Sequence, residues 1–303
     1  CDFKIILLQV KNFLAERVQQ LEQPDGFTLE LATLQGQVAM LKGDNVDLEE
    51  SAQWHHAHTP HKLSTSRLTN LRLSSHLGFG ERELVQRIHG MAQFDFARTH
   101  GMLGSDVVAV HCYEVDEAEM DALAESGTHL AHCPHMNQFR GEVAPIQAMR
   151  AKGMQVGLGI DNYFSDYFEV LRSCLASARI QAHDPEILSA HEALALGTIE
   201  AARVLGLDEE IGSIEPGKKA DLQMVNMRRL GLTPVNDPVT TLVYHGHAKD
   251  VDMVLVDGKV VVAEGVVQSA DEEDLVSRAG LAADAAWTRF ADRYGGYSVR
   301  PPN

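Results

Sequence analysis

Long apolar runs are missing from this sequence. None reaches 18 residues, so nothing in it reads as a bilayer-spanning helix. Cysteine is scarce: four in 303 residues (Cys1, Cys112, Cys133, Cys174), with no two at CxxC spacing. That excludes a disulfide framework and a thiolate zinc ribbon. Basic residues are short as well. Lys and Arg total 26 against 43 Asp and Glu, a formal charge of -17. Such a surface repels phosphate backbones and anionic bilayers, so neither nucleic acid nor a membrane is an expected partner. No secretory signal is readable, because Asp2, Lys4 and Lys11 interrupt the start and no small-residue cleavage site follows Ile5–Val10. The expected location is cytoplasmic.

Histidine, by contrast, is plentiful, with fifteen residues. That supply suits a hydrolytic metal site of imidazole and carboxylate. From residue 71 the chain becomes rhythmic. Leu71-Arg72-Leu73 leads to His76, Val107–Val110 to His111, Thr128–Ala131 to His132, and Gln155–Ile160 to Asp161. Continuous apolar runs suit parallel strands buried on both faces. Between them lie helical stretches over Glu81–His100, Asp116–Glu125 and Pro145–Lys152, the last two closed by Gly127 and Gly153. Asp116 and Glu119 have the spacing of a capping box. The polar strand-end residues recur 21 to 35 positions apart, the span of one β-α unit. Chemical groups at the C-terminal ends of parallel strands are what a (β/α)₈ barrel presents.

Further on, helices are expected over Phe164–Ile180, Ser189–Leu196 and Ile199–Leu205. The turn-rich run Gly212–Asp221 then enters a strand at Leu222–Asn226. Val251–Val256 and Lys259–Val262 flank Asp257-Gly258, a type I′ hairpin signal. Asp271–Tyr294 reads as a closing helix. Residues 1–70 are less regular: a strand at Ile5–Leu8, helices over Lys11–Gln23 and Asp47–Gln53, and a loop over Trp54–Arg67.

A hydrolytic metal site needs neutral imidazoles, a carboxylate and a position open to water. It also needs a group that moves a proton to the leaving atom. His76, His111 and Asp161 together supply those types. Singly, each has a duller explanation, a hydrogen-bonded strand-end histidine or a capping aspartate. His132 is the weakest of the set, since it can simply support the turn before Pro134.

The motifs Ser75-His76-Leu77-Gly78, Val110-His111-Cys112, His132-Cys133-Pro134-His135-Met136-Asn137, Gly159-Ile160-Asp161-Asn162 and Gly212–Leu222 resemble those of the amidohydrolase superfamily, in its cytosine deaminase, guanine deaminase and triazine hydrolase branch. The resemblance covers about two thirds of the chain. It implies an α/β fold: a (β/α)₈ TIM-type barrel with a small C-terminal β-sandwich. The expected division is 1–70, a barrel part over 71–210 (strands five to eight), the β part over 211–267, and a helix and tail over 268–303.

By the same resemblance, His76 and Asp161 ligate one divalent ion, zinc ahead of iron. His111 touches the attacking water or substrate, and Asp161 also shuttles the proton. The implied activity is hydrolysis of C–N bonds in cyclic amidines or aryl amines, a deaminase or chlorohydrolase of a small N-heterocycle. Asn162, Tyr163 and Phe164 fall near the pocket mouth.

Two departures stand out. The family acid three residues after the strand-five histidine is Phe79 here, which leaves Glu81 as the candidate acid. Four β-α units before His76 need about 120 residues. Only 75 precede it, and the His-x-His at His56 and His58 stands 18 residues upstream, too near to hold them. The expectation is a barrel lacking part of its N-terminal half. It is either an active hydrolase completed by such a half or by His56 and His58, or a catalytically inactive relative that acts through a partner. Uncovered strand edges imply a homo-oligomer.

Overall fold

The computed structural model describes residues 4–7, 72–161 and 165–294. The helices expected over Lys11–Gln23 and Asp47–Gln53, the loop over Trp54–Arg67, and Asn162, Tyr163 and Phe164 lie outside these residues, as do His56 and His58.

The apolar runs form a four-stranded parallel sheet in sequence order: β2 (Leu73–Leu77), β3 (Val107–His111), β4 (His129–His132) and β5 (Val156–Leu158), with β1 (Lys4–Leu7) elsewhere. Leu77 pairs with His111, Val110 with Ala131, and His132 with Leu158. Parallel neighbours need a crossover. Here helices supply it: α1 (Arg82–His89) and α2 (Gln93–Thr99), then α3 (Glu117–Ser126), then α4 (Pro134–Phe139) and α5 (Ile146–Ala151). These are successive units of the (β/α)₈ barrel fold. Val107, Val108, Ala109, Leu130 and Val156 are buried, as strands covered on both faces require.

Local rules explain the helix ends. Asp116 Oδ1 accepts from Glu119 N and Glu119 Oε2 from Asp116 N, the capping box expected from the spacing. Caps of this kind contribute about 1 kcal/mol. The stretch Glu81–His100 is two helices rather than one continuous span, because Gly90 takes φ 69 and closes α1. Two helices escaped the pattern reading. One is α4, opened by Pro134 at its first turn; the other is α9 (Pro238–His245), whose Asp237 side chain accepts from Thr240 N. Between them run α6 (Tyr167–Ala182), α7 (Ala190–Leu196) and α8 (Ile199–Leu205). α8 packs closely on β5, where a Cβ on Gly157 would meet Ala201 Cα at 2.8 Å.

The second sheet is antiparallel, in the order β1, β6 (Leu222–Asn226), β7 (Val251–Val256), β8 (Lys259–Ala263), β9 (Val266–Val267). The β7–β8 turn has φ 48 at Asp257 and φ 76 at Gly258, both positive as a type I′ turn demands. An exposed helix, α10 (Glu272–Tyr294), follows. Among the described residues, no helix is long and apolar enough to cross a membrane.

Candidate active site

The expected strand-end residues converge at the C-terminal edge of the parallel sheet. His111 closes β3 and is fully buried; His76 lies at the end of β2 and is exposed. Their ring centroids are 5.1 Å apart. Asp161, three residues beyond β5, brings Oδ2 to 3.4 Å from His111 Nε2. Two of these residues sit in the left-handed region, His111 at φ 76 and Asp161 at φ 59, and Cys112 follows at φ 47. Non-glycine residues there are uncommon and concentrate where a side chain must be aimed.

The surroundings decide the charge on His111. Burial pushes its pKa below the ordinary histidine value; the neighbouring His76 acts the same way, while Asn137, Asp161 and Glu81 oppose it. His111 Nδ1 lies 3.0 Å from Asn137 Oδ1, an oxygen that only accepts, so Nδ1 donates. Nε2 then presents a lone pair, and it has no hydrogen-bond partner among the described residues. A lone pair and a carboxylate oxygen facing each other at 3.4 Å repel unless a donated proton or a positive centre stands close to both. A carboxylate with imidazoles beside it fits a divalent ion and its bound water. Cys133 Sγ joins the same group, with the three ligand-type atoms within 4.8 Å of one another. Burial pushes the Cys133 thiol up to about 12, so it is no thiolate at neutral pH.

Phe79 stands at the position that the resemblance assigns to an acid. Its ring stacks on His111 at 4.0 Å between centroids, and Arg140 Cζ lies 4.1 Å over the same ring. Glu81 lies half-buried on the adjoining turn. Its Oε2 accepts from Phe79 N at 2.8 Å and from Gln93 Nε2 at 2.9 Å. It therefore shapes the loop that carries Phe79, whatever else it does. Asn137 ended the motif that carried the resemblance but was given no role, and Arg140 was not singled out from the sequence. Asn137 lies in α4 and Arg140 follows its last residue, and the only local sign of that helix was Pro134.

His132 is a separate matter. It is fully buried in β4, and neither ring nitrogen has a hydrogen-bond partner among the described residues. Burial pushes its pKa down to about 3. An unfolded histidine binds its proton near pH 6.5. Between those values the unfolded state binds more protons than the folded state, so stability rises with pH in that window and is lost as pH falls through it. At pH 4.5 the loss should be about 2–3 kcal/mol relative to pH 7.5. His132→Leu should remove that component. The check is urea unfolding of both proteins at the two pH values; an unchanged difference in the variant would refute the assignment.

A second group lies at the start of α6. Asp166 Oδ1 accepts from Phe168 N, and Oδ2 accepts from Ala248 N, each at 3.0 Å. Glu169 and His247 stand near it. Asp166 thus caps α6 and ties the segment after α9 to the start of that helix.

A model of the amidohydrolase family matches residues 44–261. A 5-methylthioadenosine/S-adenosylhomocysteine deaminase of Moorella thermoacetica is 38% identical over 204 residues, 66% of this chain and 48% of that protein. A 5'-deoxyadenosine deaminase of Methanothermobacter thermautotrophicus is 32% identical over 221 residues, 71% of this chain and 51% of that protein. An adenosine deaminase from Xanthomonas campestris, solved with bound zinc, superposes with TM-score 0.72 at 26% identity, covering 77% of this chain and 54% of its own. The chain spans about half the length of the curated relatives it matches. Four successive parallel β-α units, a histidine–carboxylate pair at their strand ends and a family match over more than half of the chain agree: the chain belongs to the amidohydrolase family.

Proposed function

We propose that this chain carries the strand-end chemistry of a hydrolytic deaminase that removes the exocyclic amine of an adenosine-type nucleoside as ammonia. The observation that carries the reading is the buried His111 Nε2 lone pair facing Asp161 Oδ2 at 3.4 Å. The names of the relatives supply the substrate class.

His76 and Asp161 would hold one divalent ion, zinc ahead of iron. Bound there, such an ion lowers the pKa of water toward neutrality and yields a nucleophile at neutral pH. His111, kept neutral by burial, accepts a hydrogen bond from the attacking water through Nε2 and orients it. Asp161 takes the proton of that water and delivers it to the departing amine. Glu81, two residues beyond the Phe79 that stands in place of the family acid, would be the ring-protonating acid, and a Glu81→Gln variant of unchanged activity would refute that role.

The experiment is ammonia release by the zinc-loaded protein from adenosine, 5'-deoxyadenosine and 5-methylthioadenosine, beside chloride release from a chloro-s-triazine. Ammonia from a nucleoside supports the proposal; no turnover of any of the three with metal bound overturns it. One observation favours a second reading, a non-catalytic chain acting through a partner: the Phe79 ring lies stacked on His111, where a flat substrate ring would lie. Absence of both metal and turnover would support that reading.

A further inference from the structure

We propose that Asn137 is the positioning residue that fixes the proton of His111 on Nδ1 and keeps Nε2 as an acceptor facing Asp161. The consequence for catalysis rests on the hydrolase reading above; the proton's place does not.

Two acceptors compete for one imidazole proton. Asp161 Oδ2 lies 3.4 Å from Nε2, and Asn137 Oδ1 lies 3.0 Å from Nδ1. A carboxylate is the stronger acceptor at equal distance. At 3.4 Å it is beyond the usual N–H···O range, and Nε2 forms no hydrogen bond among the described residues, whereas 3.0 Å is the ordinary length. Geometry therefore gives the proton to Nδ1. Without Asn137, the carboxylate is the acceptor that remains among the described residues, and the proton moves to Nε2. The lone pair that faces the reacting position would then be gone.

The amide is held firmly enough for this. Asn137 is 1% exposed and His111 0%, so bulk water does not replace the bond between Oδ1 and Nδ1. Asn137 N donates to Cys133 O at 3.0 Å, and its carbonyl accepts from Arg140 N at 3.0 Å and Glu142 N at 2.9 Å. Its backbone is thereby fixed to the end of β4, directly beside β3. Its Nδ2 has no partner among the described residues, so the amide is buried at a cost that only the bond to His111 offsets. A buried polar group kept on those terms is a sign of function rather than of stability.

Long-range ¹H–¹⁵N spectra of ¹⁵N-histidine-labelled protein read the tautomer directly, with His111 assigned by its disappearance in His111→Gln. The expected result is a protonated Nδ1 and a bare Nε2 in the unsubstituted protein. Asn137→Asp, which keeps an acceptor oxygen, should retain that pattern. Asn137→Leu, of similar size and with no acceptor, should shift the proton to Nε2. A protonated Nε2 in the unsubstituted protein overturns the proposal, and so does an unchanged tautomer in a folded Asn137→Leu. If Asn137→Leu does not fold, Asn137→Ser, too short to reach, replaces it under the same criterion. Because no substrate is involved, a failed deaminase assay leaves this result standing, and a failed tautomer assignment leaves the deaminase reading to its own test.

Discussion

Asp161→Asn is expected to lower kcat/KM for nucleoside deamination by about a thousandfold or more, the upper range of what one proton-transferring side chain supplies. The carboxamide neither takes up a proton at neutral pH nor binds a divalent ion as an anion does. Its shape is nearly that of the carboxylate. The position also suits it: Asp161 sits at φ 59, a region asparagine enters more readily than most residues. The variant should therefore fold, which circular dichroism and the unfolding midpoint would confirm. Its metal content, measured by elemental analysis, should fall with the activity. Activity within tenfold of the unsubstituted protein would remove Asp161 from the chemistry.

Gly212→Ala is expected to destabilise the fold by about 2–5 kcal/mol. Two costs add. At φ 97 a Cβ is strained whatever the space around it, by about 1–2 kcal/mol. The added Cβ would also lie 2.6 Å from Ala202 Cβ and 3.0 Å from Ile199 Cα, both on or beside the helix backbone of α8. Neither atom is the end of a flexible chain, so α8 or the turn must move; overpacking of this kind costs about 1–3 kcal/mol. Gly217 provides the control, since it has the same φ of 97 but no atom within 4 Å of an added Cβ. Gly217→Ala should cost only the backbone part, about 1–2 kcal/mol. Urea unfolding of the two variants separates the contributions. Equal losses would mean that the close approach of the turn to α8 does not restrict residue 212.

These two glycines belong to one legible motif, and they show where legibility stops. The run Gly212–Leu222 announced the entry to the second sheet, and β6 does begin at Leu222. That Gly212 is pressed against Ala202 and Gly217 is not was invisible, because the contact crosses from another helix. The same boundary runs through the rest of the molecule. The Asp116 and Glu119 box, the Asp257-Gly258 turn and the closure of α3 at Gly127 depend on atoms at most a few residues apart. So does the apolar continuity of β3, which marks a strand buried on both faces.

The site divides in the same way. His76, His111 and Asp161 were readable as chemically able residues at successive strand ends. Their meeting at one edge follows from parallel pairing. Asn137 was legible only as the end of a motif; its single side-chain bond to His111, across 26 residues, was not. Phe79 was readable as a departure from the family acid. Its stacking on His111 beneath Arg140 was not, because it depends on how three separate turns are placed. The split of Glu81–His100 at Gly90 and the helix opened by Pro134 were lost to weak periodicity in short elements.

Spacing and residue type thus established the parallel β-α order and the turn chemistry, since each follows from covalent geometry and neighbours close along the chain; the candidate ligands were what the resemblance implied. Which nitrogen of His111 carries the proton, why that residue and Asp161 adopt positive φ, and what Gly212 touches arise only when distant segments pack, because those energies come from contacts through space.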